Sequence, residues 1–364
     1  MFSPLQRKLS YTAWNKAIIY FNCSHQTFYL LFIFLIPVDK ISSDHTFLHR
    51  TPGLLTWNKH KSIFSYVIMP KVIVIKEKEV LFPDGSVNKK KLVEMYRLGF
   101  SILTGQKKIK DSIYFLFNEG EKIGIKINTI GGKKLSTRPE VSLCLANELT
   151  RSNIQGKNIL IWDRTNRELK DAGYRLNMSR NDIQVYGTDT KGVGYNNSIV
   201  SHLNIGSLLS SIQSDIIDFS ISLAILKDHG LAGVTAGIKN YFGAIHNPNK
   251  YHDSNCNPYI AEVFDIPSIR KKHRLSILDC LMIQYNYGPS FHSRWIEKYE
   301  SLVFSMDPVA ADCIGWNIIE KIRAKKGLPS LSEEKREPFY LKTAEKMGLG
   351  EANINNIELL EEEV

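Results

Sequence analysis

The chain has 364 residues, of which 43% are hydrophobic and 23% are charged, so its composition is that of a globular protein with one large domain or two smaller ones. The formal net charge is +10. Half of this excess lies in residues 1–68, with seven basic and two acidic side chains, and the rest forms no clustered basic stripe. The composition therefore argues against a disordered chain and against a nucleic-acid partner.

The cysteines are odd in number and widely spaced, and no two of them form a C-x-x-C pair. This pattern argues against a disulfide framework, an iron-sulfur cluster and a thiolate zinc site. We expect them to be small buried residues. They are Cys23, Cys144, Cys256, Cys280 and Cys313.

Residues 1–68 have the pattern of a leader, a signal peptide or a membrane anchor. The segment from Ala17 to Val38 has no charged side chain, and Arg7, Lys8 and Lys16 precede it. This predicts export, or membrane association through residues 17–38. The alternative is that the native chain starts at Met69, which would make residues 1–68 an over-extended start and the protein cytoplasmic.

The remainder, residues 69–349, predicts an α/β domain, because short β-branched runs alternate with helical periods. The pattern is that of a mainly parallel sheet with helices on both faces, followed by an acidic C-terminal tail over residues 350–364. The predicted strands are Val72–Ile75, Ile123–Ile127, Asn158–Trp162, Ile183–Tyr186, Phe219–Leu226 and Leu275–Leu278. The predicted helices are Lys89–Leu103, Pro139–Arg151, Arg167–Ala172 and Pro308–Arg323.

Two helix starts carry capping signals. Ser136 or Thr137 is expected to cap the helix that opens at Pro139, and Asp307 to cap the helix that opens at Pro308. Asp307 is therefore interpreted as structural rather than as a metal ligand.

Ligands of open α/β sheets bind beyond the carboxyl ends of the strands, so the segments that follow the strands are the candidates for a site. The richest such segment runs from Lys227 to Gly243. Asp228 and His229 end a predicted strand, and a histidine beside a carboxylate is suited to proton transfer. Thr235 is expected to cap a short helix that carries Lys239, and a lysine there would bind an anion or form a covalent adduct.

Other polar residues after strands complete the predicted site. The catalytic candidates are His229, Lys239, Asp228 and Asp163. The ligand-binding candidates are Arg138, Thr137, Lys126, Asn128, Asn240 and Lys227. His246 and His252, near Asp253 and Cys256, would be the ligands of a divalent metal, or else they belong to a surface loop.

The segment from Lys227 to His252 resembles the central block of the uncharacterised family called domain of unknown function 362. Three further blocks agree with this resemblance, which covers about residues 70–349. They are Gly124–Asn128 with Ser136–Glu140, Ile161–Thr165, and Ser305–Asp312.

A more distant resemblance joins Thr137-Arg138-Pro139, Asp163, His229 and Lys239 to the N-terminal half of the nickel-pincer lactate racemases. It implies that Lys239 would hold a nickel-pyridinium cofactor, that His229 would be an acid-base partner and that Arg138 would bind a carboxylate or phosphate. Asp163 stands where that family has its other proton-transferring histidine, and only His246 or His252 would remain to bind nickel. The resemblance therefore implies a scaffold with an anion- or cofactor-binding cleft, and the cofactor itself is left open.

Two functions follow from these observations. The first is an enzyme in which Arg138 and Lys126 receive a small anionic molecule, His229 moves a proton under the influence of Asp228, and Lys239 binds substrate or cofactor. The second is a non-catalytic protein, exported or membrane-anchored, that holds a small acidic ligand in the same cleft.

Overall fold

The structure is a computed structural model that describes residues 69–364 and the backbone of four short strands before them. Those strands are β1 (Ala17–Ile19), β2 (Ile33–Phe34), β3 (Leu54–Trp57) and β4 (Phe64–Val67). They pair antiparallel in the order β2-β1-β4-β3 and belong to a compact unit of their own, residues 1–69. Apart from these strand backbones, the predicted leader, its membrane-associated segment 17–38 and Cys23 lie outside the described residues.

The second compact unit, residues 70–364, is an α/β domain. Its strands are β5 (Lys71–Lys76), β6 (Ile123–Ile127), β7 (Ile159–Trp162), β8 (Gln184–Val185), β9 (Val200–His202), β10 (Ile205–Ser207), β11 (Phe219–His229), β12 (Gly233–Thr235), β13 (His273–Gln284), β14 (Ile296–Ser305) and β15 (Glu358–Glu363). Its helices are α1 (Lys89–Thr104), α2 (Ile109–Leu116), α3 (Pro139–Arg151), α4 (Asn166–Asp171), α5 (Tyr259–Asp265), α6 (Pro267–Arg270), α7 (Pro308–Lys325) and α8 (Tyr340–Lys346). Among the residues described, no helix is both long enough and apolar enough to cross a bilayer.

In the described part of the chain, the central sheet has nine strands in the order β15-β5-β14-β13-β11-β6-β7-β8, with β12 paired to β11. The block β13-β11-β6-β7-β8 is parallel throughout. Strand β14 is antiparallel to both neighbours, and β12 is antiparallel to β11. The prediction of a mainly parallel sheet is confirmed.

The strands are buried on both faces, as continuous apolar runs in a parallel sheet require. Successive residues of β5 show this directly, because Val72 and Val74 belong to one hydrophobic core while Ile73 and Ile75 belong to the other. Helices α1 to α4 cover the face of Ile73, and α5 to α8 cover the face of Val72. The expected helices on both faces are therefore confirmed.

The capping predictions had mixed outcomes. Asp307 caps α7 as predicted, since its carboxylate accepts hydrogen bonds from the backbone amides of Val309 and Ala310. The prediction for α3 is wrong, because Arg138 occupies the N-cap position and makes no side-chain cap. Thr137 instead donates its hydroxyl to the carbonyl of Leu223 in β11.

Two regions differ from the sequence prediction. Strand β14 begins with charged, partly exposed residues, which hide its strand pattern. The acidic tail contributes β15, which runs parallel to β5 at the edge of the sheet with the Lys76 ammonium 2.7 Å from the Glu361 carboxylate. The four cysteines among the described residues are buried and unpaired, as expected.

Candidate functional site

A cavity of about 130 Å³ opens where β6, β7 and β11 end. This volume is well above the ~15 Å³ that one water needs and below the ~300 Å³ of pockets for drug-sized ligands, so the cavity suits a small molecule. The lining residues are Lys126, Asn128, Ile130, Asp163, Arg164, Glu168, Lys227, His229, Thr235, Lys239, Asn240, Phe242, Gly243, Pro248, Asn249, His252 and Pro289.

The floor of the cavity is a buried ion pair between β6 and the end of β7. The Lys126 ammonium lies 2.5 Å from a carboxylate oxygen of Asp163 and 3.2 Å from the side-chain oxygen of Asn240. Asp163 also accepts hydrogen bonds from the backbone amides of Thr129 and Arg164 and from the Thr129 hydroxyl. Both Asp163 oxygens are thus occupied, so this carboxylate is an anchor for Lys126 rather than a free base.

Gly243 packs directly on this ion pair. A Cβ atom at this position would lie 2.7 Å from Lys126 Nζ and 3.0 Å from Asp163 Oδ1. Only glycine therefore lets the backbone approach the pair without displacing it.

Lys227 enters the cavity from β11 and is fully buried. Its ammonium donates to the side-chain oxygen of Asn128, 3.1 Å away, and to the carbonyl of Leu135, 3.3 Å away. Among the described residues it has no carboxylate partner. Burial, with a further contribution from the charge of Lys239, lowers the pKa of Lys227 to about 7.

Lys239 begins the short 3-10 helix Lys239–Ala244, and its side chain is only 7% exposed. Its ammonium lies 4.5 Å from the ring centre of Phe242, a cation-π contact. No hydrogen bond or ion pair to this ammonium occurs within residues 69–364. Burial lowers the pKa of Lys239 to about 8.

Asp312 in α7 holds the turn that presents Lys239. Its carboxylate accepts hydrogen bonds from the backbone amides of Gly237 and Ile238, at 2.6 and 3.1 Å. The predicted cap by Thr235 is wrong, because Thr235 ends β12 and pairs with Lys227 in the sheet. The carboxylate of Asp312, 75 residues beyond Gly237, therefore binds the amides of this turn in place of the threonine hydroxyl.

His229 ends β11 on the same side as Lys227, as the two-residue repeat of a strand requires. Its Nδ1 accepts hydrogen bonds from the backbone amides of Leu231 and Ala232, so the ring proton is on Nε2. Burial and the positive charge of Lys239 lower the pKa of His229 to about 2. His229 is therefore a neutral hydrogen-bond donor at physiological pH, which argues against the proton transfer expected of it.

His252 stacks on His229, with ring centres 5.7 Å apart. Its Nδ1 lies 3.0 Å from the carbonyl of Pro248, which can only accept, so Nδ1 carries the proton and Nε2 keeps a lone pair. Burial and the charge of Lys239 lower the pKa of His252. The two imidazoles thus offer opposite groups, an N–H donor on His229 and an acceptor nitrogen on His252.

Asp228 lies on the opposite side of β11 from His229. Its carboxylate accepts from the Arg336 guanidinium and from the backbone amide of Gly288, both at 2.8 Å. The expectation that Asp228 influences the imidazole of His229 is therefore wrong. Asp228 instead holds the loop that contributes Pro289 to the cavity.

Three further predicted residues do not line the cavity. The Arg138 guanidinium donates to the carbonyl of Gly85, 2.7 Å away, and Thr137 ties the end of β6 to β11. His246 is exposed, with its ring against Tyr195. Arg138 is thus bound to the backbone of the loop before α1 rather than directed to an anion in the cavity.

Arg164, Glu168 and Asn249 line the cavity although they were not among the predicted site residues. The Arg164 guanidinium pairs with the Glu168 carboxylate one helical turn later. The signal was present in the sequence, because Arg164 is the second residue after β7 and Thr165 and Glu168 have the spacing of a capping box, in which Thr165 accepts from the Glu168 amide.

The charges of the cavity do not balance. Four cationic side chains line it, and two of them, Lys126 and Arg164, are paired with Asp163 and Glu168. In the described part of the chain, Lys227 and Lys239 lack such a partner. The cavity therefore has an excess of two basic groups.

The family model for "Domain of unknown function (DUF362)" matches residues 123–317, more than half of the chain. The chain belongs to this family. The matched segment contains every lining residue of the cavity, so the cavity lies within the part that defines this DUF362 protein.

Other comparisons are less informative about this DUF362 protein. No curated protein matches the chain. A crystal structure of a Thermotoga maritima protein from the Northeast Structural Genomics Consortium is similar at 11% identity, with a TM-score of 0.36. The match covers 66% of this chain and spans 60% of the other, and a TM-score this low does not establish a shared fold.

The residues of the cavity do not form the expected metal site. Among the described residues, no group of three histidine, cysteine, aspartate or glutamate side chains could hold a metal ion. His252 lines the cavity while His246 points elsewhere, so the two candidate nickel ligands do not converge. The resemblance to the lactate racemases stays a prediction.

Proposed function

We propose that this DUF362 protein is an enzyme that binds a small anionic molecule between Lys227 and Lys239, with the N–H group of His229 as a hydrogen-bond donor. One observation carries the proposal, namely that two buried lysines share one small cavity without a carboxylate to neutralise them. A buried charge is costly unless it is paired, so an anion would supply what the cavity lacks.

The excess of two basic groups is also the reason for proposing an anion rather than a neutral ligand. An anion would favour the charged form of both lysines, whose pKa values burial lowers to about 7 and about 8. The acidic groups of the cavity, Asp163 and Glu168, form ion pairs with Lys126 and Arg164, and the charge of Asp163 affects the pKa of Lys227 less than burial does.

A catalytic role is supported by Lys239. Its lowered pKa provides a free amine near neutral pH, and a perturbed group in a cavity is a common feature of active sites. The second candidate, a non-catalytic binding protein, is favoured by His229, because this histidine is held neutral and does not exchange protons near pH 7.

Isothermal titration calorimetry with acetate, propionate, phosphate and sulfate tests the proposal on the full chain. Lys239→Met should weaken binding of the preferred anion by about tenfold or more, since a hydrogen bond to a charged group contributes ~1.5–3 kcal/mol. Lys250→Met is the matched control, because Lys250 is exposed and does not line the cavity. Equal affinities in the two variants would overturn the proposal.

A further inference from the structure

We infer that the ligand of this cavity is a small carboxylate that also carries a reactive carbonyl group, as in a 2-oxo acid, and that Lys239 binds it as an imine. This inference rests on the proposed function and names the substrate class of the same site.

The two unpaired lysines differ in how they are held. Lys227 is fixed by Asn128 and the Leu135 carbonyl, which leaves one N–H group for the cavity. The ammonium of Lys239 contacts the ring of Phe242, and its nitrogen makes no hydrogen bond to the described residues. A fixed ammonium is suited to bind and donate, whereas a nitrogen without hydrogen bonds is suited to form a new bond.

The protonation of Lys239 favours the same role. With a pKa of about 8, about one amine in ten is unprotonated at pH 7, against about one in three thousand for an exposed lysine. Burial, which lowers the pKa of Lys239, is a condition under which lysines become nucleophiles toward carbonyl groups.

The neighbouring groups account for each proton in the reaction. The free Nε2 of His252 accepts a proton from the Lys239 ammonium, whose charge acts directly on this imidazole. The amine attacks the carbonyl carbon, a C–N bond forms, and the carbonyl electron pair moves to oxygen, which takes a proton from the nitrogen. Lys227 then protonates this hydroxyl, which leaves as water as the C=N bond forms.

The N–H group of His229 has a place in the same scheme. Since its Nδ1 is occupied by two backbone amides, its Nε2 can only donate. A donor that stays neutral polarises a carbonyl oxygen without giving up its proton. The cavity thus holds a nucleophile, a proton acceptor, a proton donor and a carbonyl-polarising group.

Borohydride trapping tests the inference. The full-length protein is incubated with glyoxylate, pyruvate or 2-oxobutyrate, reduced with sodium borohydride and digested, and modified peptides are located by mass spectrometry. We expect a reduced adduct on Lys239 in the wild type and in Lys250→Met, and none at this position in Lys239→Met. Propionate, which lacks the carbonyl group, should bind to the wild type without an adduct and should protect Lys239 from the oxo acids.

The outcomes separate this inference from the function on which it rests. Binding of propionate and oxo acids without an adduct on Lys239 overturns the imine and leaves the anion site intact. Adducts spread equally over exposed lysines also overturn it. Neither binding nor adduct overturns both the imine and the anion site.

Discussion

Replacing Lys239 by methionine should stabilise the protein while weakening its binding of anions. The Lys239 pKa is about 8 in the folded protein against 10.5 for an ordinary lysine, so the ammonium is less favourable in the folded state than in the unfolded chain. At 1.36 kcal/mol for each pKa unit, this corresponds to roughly 3 kcal/mol of destabilisation at pH 7. Methionine fills a similar volume without a charge, and such replacements of buried charges are often stabilising.

The pH dependence gives the sign of this effect. Because the folded-state pKa is lowered, the destabilisation by the ammonium is complete below about pH 8 and disappears as pH rises toward 10.5. Lys239→Met should therefore exceed the wild type in free energy of unfolding by roughly 3 kcal/mol at pH 7 and by much less at pH 10.5. Loss of Lys239 also relieves Lys227, whose pKa it lowers, and this adds to the gain.

Urea unfolding between pH 7 and pH 10.5 measures this difference. Lys250→Met is the control, since loss of an exposed lysine should change the free energy of unfolding by no more than about 0.5 kcal/mol. If Lys239→Met is less stable than this control at pH 7, a partner stabilises the ammonium in the folded protein, which refutes the unpaired state of Lys239.

Three further predictions concern the groups around this lysine. His229→Gln should weaken anion binding about tenfold. The pH dependence of the binding affinity between pH 5.5 and 7.5 should be the same in this variant and in the wild type, because the pKa of His229 is about 2 and its charge does not change in this range. Burial raises the pKa of Asp312 to about 7. The free energy of unfolding of the wild type, measured by urea titration, should therefore fall relative to that of Asp312→Asn as pH rises from about 4 to 7. A difference between the two proteins that does not change with pH would contradict this prediction. Gly243→Ala should lower the midpoint of thermal unfolding through a loss of ~1–3 kcal/mol in the free energy of unfolding, since its Cβ would lie 2.7 Å from the buried nitrogen of Lys126. Gly206→Ala is the control, because its Cβ would have nothing within 4 Å and the midpoint should stay unchanged.

The position of the site was predictable because ligands of α/β sheets bind at the carboxyl ends of strands, and the strands themselves can be located from the sequence. Lys126, Lys227 and Asp163 each lie within two residues of the carboxyl end of a strand with a clear apolar run, and they meet in the cavity. Lys239 lies four residues beyond β12, which follows β11 after a short turn that contains Gly230. Local patterns were sufficient because the ends of neighbouring parallel strands lie side by side.

The interaction partners of these residues were harder to predict from the sequence. The opposite orientations of Asp228 and His229 follow from the two-residue repeat of a strand, so this error was avoidable. The guanidinium that binds Asp228 belongs to Arg336, 108 residues away, and no local pattern indicates it. The neutral state of His229 depends on burial and on two amides of the next turn, and these are properties of the folded chain.

The central claim is that Lys227 and Lys239 have no carboxylate partner among the described residues and that a bound anion neutralises their ammonium groups. Calorimetry of propionate or phosphate binding at pH 8, in buffers with different ionisation enthalpies, measures the protons taken up on binding. We expect an uptake of about one proton, since lysines with pKa values of about 7 and about 8 are partly neutral at this pH and an anion restores their charge. Binding without proton uptake, or an uptake that persists when both lysines are replaced by methionine, would contradict the account.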